Sequence, residues 1–205
     1  MSDALKSKRN LQYNLMSQIF HSCVFSAKHL GTQETSRRIY GKREIIIKEF
    51  ESISHRLSAN ETLEKILDDM WDTMLANKCV GFSAPQIGIS KRLFIVHVGG
   101  INIRGANPEI LSEGMYAEDI EGSPCIPGIQ KPIRRPKKII CRYLDEKNDT
   151  VEVELKGVAA RAFCHEKDHH DGILFIDHLK PIVSKLIQKD LDRIALQTLN
   201  MSNNQ

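Results

Sequence analysis

The segment HEKDH, residues 165–169, holds two imidazoles and a carboxyl at a spacing that suits metal-assisted hydrolysis. On a helix His165 and His169 lie one turn apart and project from one face, so both can reach a single cation. Glu166 beside them can take a proton from an activated water and deliver it to a leaving amine. Such a site needs a third ligand, and the upstream segment EGSPCIPG, residues 121–128, offers a hydroxyl at Ser123 and a thiol at Cys125. A thiol with a pKa near about 8.5 ionises readily on a metal, whereas a serine hydroxyl is a far poorer anionic ligand. If this segment is a strand, Cys125 points to the same side as Ser123 but lies about 6.5 Å further along, and a bulge at Pro124 would have to bring it in. His170 points about 100° away from His169 on the helix and reads as a supporting or surface residue. Asp168 can either support a ligand histidine or pair with Arg161. His55, His97 and His178 read as surface or core residues.

The elements that position these groups follow from periodicity. SANETLEKILDDMWDTMLANK, residues 58–78, is an amphipathic helix. Ser58 and Glu61 form an S-x-x-E capping box, and Leu63, Ile66, Leu67, Met70, Trp71 and Met74 recur at helical spacing as a core stripe. CVGFSAPQIGISKRLFIVHVGG runs from a glycine-and-proline loop into an apolar strand over residues 93–98. NPEIL, KKIICRYL and TVEVELKGV read as further strands bounded by Gly, Pro and Asn-Asp turns. VAARAFCHEKDHHDG returns to helix and stops at Gly172. Residues 182–199 place Ile182, Leu186, Leu191, Ile194 and Leu199 at near-helical spacing. A helix, a run of strands and then helices predict an α+β fold, with mostly antiparallel sheets around the HExxH helix and a C-terminal helix.

Composition narrows the class. A chain of 205 residues supports one domain with a sizeable core. Its 41% hydrophobic and 27% charged residues are those of an ordinary globular protein, and a net charge of +3 argues for no nucleic-acid specificity. Five scattered cysteines without a CxxC pair suit a reducing compartment. No apolar run approaches a membrane span, so no membrane partner is expected. Residues 1–38, in which Asp3 and Glu34 are the acids, read as an N-terminal extension, disordered or targeting, with Met16 as an alternative start. The domain proper is then 39–205. The expected location is a bacterial cytoplasm, with the mitochondrial matrix as the alternative should 1–38 be a transit peptide.

Three segments in order, CVGFSAPQIG, EGSPCIPG and HEKDHHDG, resemble the three motifs of peptide deformylases, G-x-G-x-A-A-P-Q, E-G-C-x-S-x-x and H-E-x-D-H-x-x-G. NPEIL, RRP at 134–136, AAR and GILFID are supporting matches, and the resemblance runs from about residue 39 to the end. It implies a metallohydrolase that removes the formyl group from the N-terminal methionine of nascent chains. The implied cofactor is a divalent metal, Fe2+ first, with Zn2+ or Ni2+ as alternatives. Position by position, the resemblance makes His165 and His169 metal ligands and Glu166 the general acid/base. It makes Gln86 the donor to the formyl oxygen and Gly81 the point where the substrate backbone approaches closely. N-formylated nascent peptides are the implied partner, with the ribosome near its exit tunnel as a second, reached through Lys180, Lys185, Lys189 and Arg193.

The second motif departs from the family pattern. Glu121-Gly122 and Pro127-Gly128 fix its register, so Ser123 and not Cys125 falls at the metal-cysteine position. The next residue, whose backbone N–H would be an oxyanion donor, is Pro124, which has none. The third ligand is therefore Ser123, Cys125 or neither. An active deformylase is the first reading. A catalytically impaired deformylase-like protein that binds peptides or partners is the alternative, and a different metal-dependent amidase is a third.

Overall fold

The computed structural model describes residues 63–203 apart from Gly88 and Ser90. The Ser58/Glu61 capping box, the extension over 1–38 and the boundary at 39 lie outside the described residues. The first described element is helix α1, Leu63–Ala76, which buries Ile66, Leu67, Met70 and Met74, the stripe read from the sequence. It ends where Lys78 takes up a left-handed φ of 55° and the Cys79 N–H returns to the Met74 carbonyl.

Seven strands follow: β1, Gly81–Ser83; β2, Leu93–Val98; β3, Ile101–Glu113; β4, Tyr116–Gly122; β5, Gln130–Pro136; β6, Lys138–Leu144; and β7, Thr150–Lys156. They form an antiparallel five-stranded sheet in the order β1-β2-β3-β6-β7 and a separate β4–β5 hairpin. The thirteen-residue β3 pairs with β2 through its first half and with β6 through its second. Register shifts after Ala106 and Ile110 let one strand serve both partners, and Asn107 there takes a φ of 54°.

Helix α2, Gly157–His170, carries the HExxH segment through the middle of the molecule and packs against β1 and β2. One core lies on its sheet side, where Phe94, Val96, Ile139, Cys141, Leu155, Ala160 and Phe163 meet. A second core joins α1, β1, the segment around Cys125–Ile133 and the C-terminal helix. Gly172 stops α2 in a left-handed conformation, φ 70°, as its position in the sequence predicts. A short 3-10 turn, Phe175–His178, leads to helix α3, Pro181–Asn203, with proline at its first position. The α3 stripe differs from the reading of the sequence: Ile187, Leu191 and Ile194 are buried, while Ile182 and Leu186 are 70% and 75% exposed. Leu186 and Ile187 lie about 100° apart on the helix, so burying one exposes the other. No helix among the described residues is long and apolar enough to cross a membrane.

Candidate active site

His165 and His169 face each other from successive turns of α2, their Nε2 atoms 3.1 Å apart and their rings crossed at 80°. The orientation of His165 is set from β4. Its Nδ1 lies 2.7 Å from Glu121 Oε1. An ionised carboxylate only accepts, so His165 donates Nδ1–H and turns Nε2 toward His169. Glu121 is itself held by Arg135 of β5, through Nη2 to Oε1 at 2.7 Å and Nε to Oε2 at 3.2 Å, and by Arg161 Nη1 at 3.0 Å. Burial alone would raise the Glu121 carboxyl, but the bonds from His165 and Arg135 outweigh it and hold the group well below the usual carboxylate range. Burial lowers His165, yet the bond to Glu121 and the Glu166 charge leave its pKa raised. His169 has no such carboxylate, and burial together with the charges of His165 and His170 drives it well below its ordinary value.

Glu166 is buried on the same helix with Oε2 unpartnered among the described residues. Burial pushes its carboxyl up to about 7, with His165 and the Ser83 hydroxyl pulling the other way. Its other oxygen lies against Gly81: a Cβ there would sit 2.5 Å from Oε1 and 3.0 Å from Cγ. Gly81 thus makes room for the acid of the site itself.

Gln86 lies in the 3-10 turn after β1 and is 1% exposed. Its Oε1 accepts from the Ser83 N–H at 2.7 Å and the Ser83 hydroxyl at 3.0 Å, and Nε2 donates to Cys125 Sγ at 3.4 Å. The carboxamide is fixed at both ends, and one Nε2–H is left over.

The second motif is not a strand through Cys125, and the bulge envisaged at Pro124 does not form. β4 ends at Gly122 and the chain turns, the Ile126 N–H bonding to the Ser123 carbonyl at 3.0 Å and the Cys125 N–H to Ser123 Oγ at 3.3 Å. Two imidazoles side by side, one locked in its tautomer by a carboxylate, fit a divalent cation. Among the described residues, however, no group of three or more His, Cys, Asp or Glu side chains is arranged to hold one.

Several assignments shift. Asp168 pairs with Arg135 at 2.5 Å and with His178 Nε2 at 2.7 Å, not with Arg161. Arg161 instead reaches Glu121 and the carbonyls of Ile133 and Ala117. His170 has both ring nitrogens buried and unpartnered among the described residues, and burial with the Arg92 charge lowers its pKa to about 4. Glu121, Arg135 and Ser83 are the positioning groups that sequence reasoning passed over. An acid two residues before the third-ligand position and an arginine in the RRP segment were the available signals.

Known proteins resemble this chain in sequence and in fold. Residues 40–185 match the polypeptide deformylase family. The chain is 39% identical over 141 residues to the peptide deformylase of Fusobacterium nucleatum, covering 68% of this chain and 81% of that one. It is 44% identical over 131 residues to that of Pelotomaculum thermopropionicum, covering 64% and 84%. Among solved structures it resembles the peptide deformylase of Thermus thermophilus, with a TM-score of 0.63 at 33% identity over 67% of this chain and 88% of that one. The Legionella pneumophila peptide deformylase gives 0.62 at 33% identity over 68% and 85%.

Proposed function

The chain belongs to the peptide deformylase family, and on that premise we propose how its own residues carry out the family's reaction, the metal-dependent removal of the N-formyl group from the N-terminal formyl-methionine of nascent polypeptides. The relatives named above do not favour the alternative of a binding module. His165 and His169 would hold a divalent cation, Fe2+ ahead of Zn2+ or Ni2+. When bound, it supplies Lewis acidity toward an amide carbonyl and activation of water. Glu166 takes a proton from the attacking water and returns it to the leaving nitrogen as the C–N bond breaks, releasing formate and a free amino terminus. Burial raises the Glu166 carboxyl, which favours its holding the proton between the two transfers. Gln86 donates its remaining Nε2–H to the formyl oxygen, with Ser83 holding the far end of the carboxamide. The peptide lies along β1, an edge of the five-stranded sheet where main-chain hydrogen bonds can add a strand, and Gly81 leaves the room that the Glu166 carboxyl takes up.

The observation that carries this reading is the buried, unpartnered Glu166 oxygen on the same helix as the facing imidazoles. The test is formate release from a formyl-Met tripeptide by protein purified anaerobically with ferrous iron, beside Glu166→Ala. The parent should turn over and the variant should fall by on the order of a hundredfold or more. An inactive parent that is folded and metal-loaded would refute the reading.

The proposed second partner is the ribosome near its exit tunnel, in a bacterial cytoplasm, or in the mitochondrial matrix if residues 1–38 address the chain there. Its support is the outer face of α3, where exposed Ile182, Lys185, Leu186 and Lys189 follow one another at helical spacing. Arg193 contributes less, since it pairs with Asp190 at 2.6 Å. Lys185→Glu with Lys189→Glu leaves the core of the helix intact. That pair of changes should lower co-sedimentation with ribosomes several-fold at low salt while tripeptide turnover holds. Undiminished co-sedimentation would end the idea.

A further inference from the structure

The second motif carries its two short polar side chains in exchanged order relative to the family pattern, Ser123 standing where the resemblance expects cysteine and Cys125 where it expects serine. The fold gives the two residues separate tasks. Cys125 is fully buried in the core that includes Phe82, Ile126 and Ile129, and its sulfur accepts the Gln86 Nε2–H at 3.4 Å. It faces the carboxamide, and it forms no metal-holding group with the histidines. Ser123 directly follows β4, two residues beyond the Glu121 that orients His165, and is 9% exposed. Its Oγ accepts the Cys125 N–H at 3.3 Å, which fixes the oxygen and leaves it one lone pair and its own proton.

We propose that the cation site of this chain is free of thiolate, with the neutral hydroxyl of Ser123 as the third protein donor beside His165 and His169, while the Cys125 sulfur accepts from Gln86. This rests on the reading of the two histidines as the cation site. A thiolate cancels one of the two charges of a divalent cation and binds it softly, whereas a hydroxyl does neither. The site therefore binds its cation more weakly than a His2Cys set and discriminates less in favour of thiophilic metals.

Anaerobic titration of the full chain with Co2+ tests this by absorption. The parent should develop visible ligand-field bands and no near-ultraviolet thiolate-to-cobalt charge-transfer band, and Cys125→Ser should reproduce its spectrum and affinity. Ser123→Cys should gain the charge-transfer band and bind Co2+ on the order of tenfold more tightly or better. A thiolate band in the parent overturns the proposal, whichever cysteine removes it. Ser123→Cys with an unchanged spectrum and affinity overturns the place given to Ser123. Ligand-field bands that persist in His169→Ala, or fail to develop in the parent, defeat instead the histidine reading beneath it.

Discussion

At the scale of single residues the site is a set of close fits around Glu166. Gly81 is the tightest of them. The sequence-based reason for glycine at this position was room for a substrate backbone, but the nearer neighbour is Glu166, with three of its side-chain atoms within 3.1 Å of where a Cβ would stand. Gly81→Ala must therefore push the carboxyl aside while leaving the hydrophobic cores untouched. Formate release should fall by on the order of a hundredfold, as for a lost general base, with the thermal midpoint close to that of the parent. A variant that retains most of its turnover would show that Glu166 has room to yield. HExxH announced two ligands and an acid through spacing alone, because a helix turns spacing into direction. Ser83 could not be read that way. Its part depends on meeting Gln86 across a turn and Glu166 across a helix–strand contact, and neither meeting leaves a periodic trace.

At the scale of elements, what was legible follows what is apolar. α1, β2, β6 and α2 show their buried faces as hydrophobic rows, and the sequence places them well. β4 does not, because the one residue it buries is the charged Glu121, so no alternation of apolar and polar marks it as a strand. The turn after it escaped notice for a related reason: Ser123 and Cys125 make local bonds that only the folded backbone reveals. The start of α2 offers a cleaner test of backbone demand. Gly157 opens the helix with a φ of 57° and donates its N–H to the Lys137 carbonyl at 2.8 Å, and a Cβ there would meet nothing within 4 Å. Gly157→Ala thus isolates the cost of a left-handed backbone, about 1–2 kcal/mol, and Gly157→Asn should cost less. Urea unfolding of the two variants measures both, and equal stability of alanine and parent would mean that the helix start relaxes freely.

At the scale of the molecule, one buried charge network ties the separate pieces into a single frame. Arg135 on the hairpin joins Glu121 of β4 to Asp168 of α2, Asp168 continues to His178 in the 3-10 turn, and Glu121 joins His165. β4 and β5 form a two-stranded sheet of their own, and these contacts, together with the bonds from Arg161 to Glu121 and to the Ile133 and Ala117 carbonyls, tie it to the HExxH helix. Such a link makes stability depend on pH in a definite direction. Burial is outweighed at Glu121 by the bonds from His165 and Arg135 and at Asp168 by those from His178 and Arg135, so both carboxyls titrate below their unfolded values. The unfolded chain therefore binds more protons in acid, and the stabilisation is complete above the unfolded carboxylate range, about pH 4. It is lost as pH falls below that range toward the folded values. Glu121→Gln removes the charge while nearly preserving shape and leaves Arg135 short of a partner, so it should be less stable by about 3–5 kcal/mol at pH 7. Its decline between about pH 5 and 3 should be shallower than the parent's, because one of the carboxylates responsible no longer titrates. Urea midpoints of chelator-treated protein, in which cation binding cannot mask the effect, would show the two curves converging in acid. Parallel curves would mean that the acid lability arises elsewhere and that the network orients His165 without governing the stability of the frame.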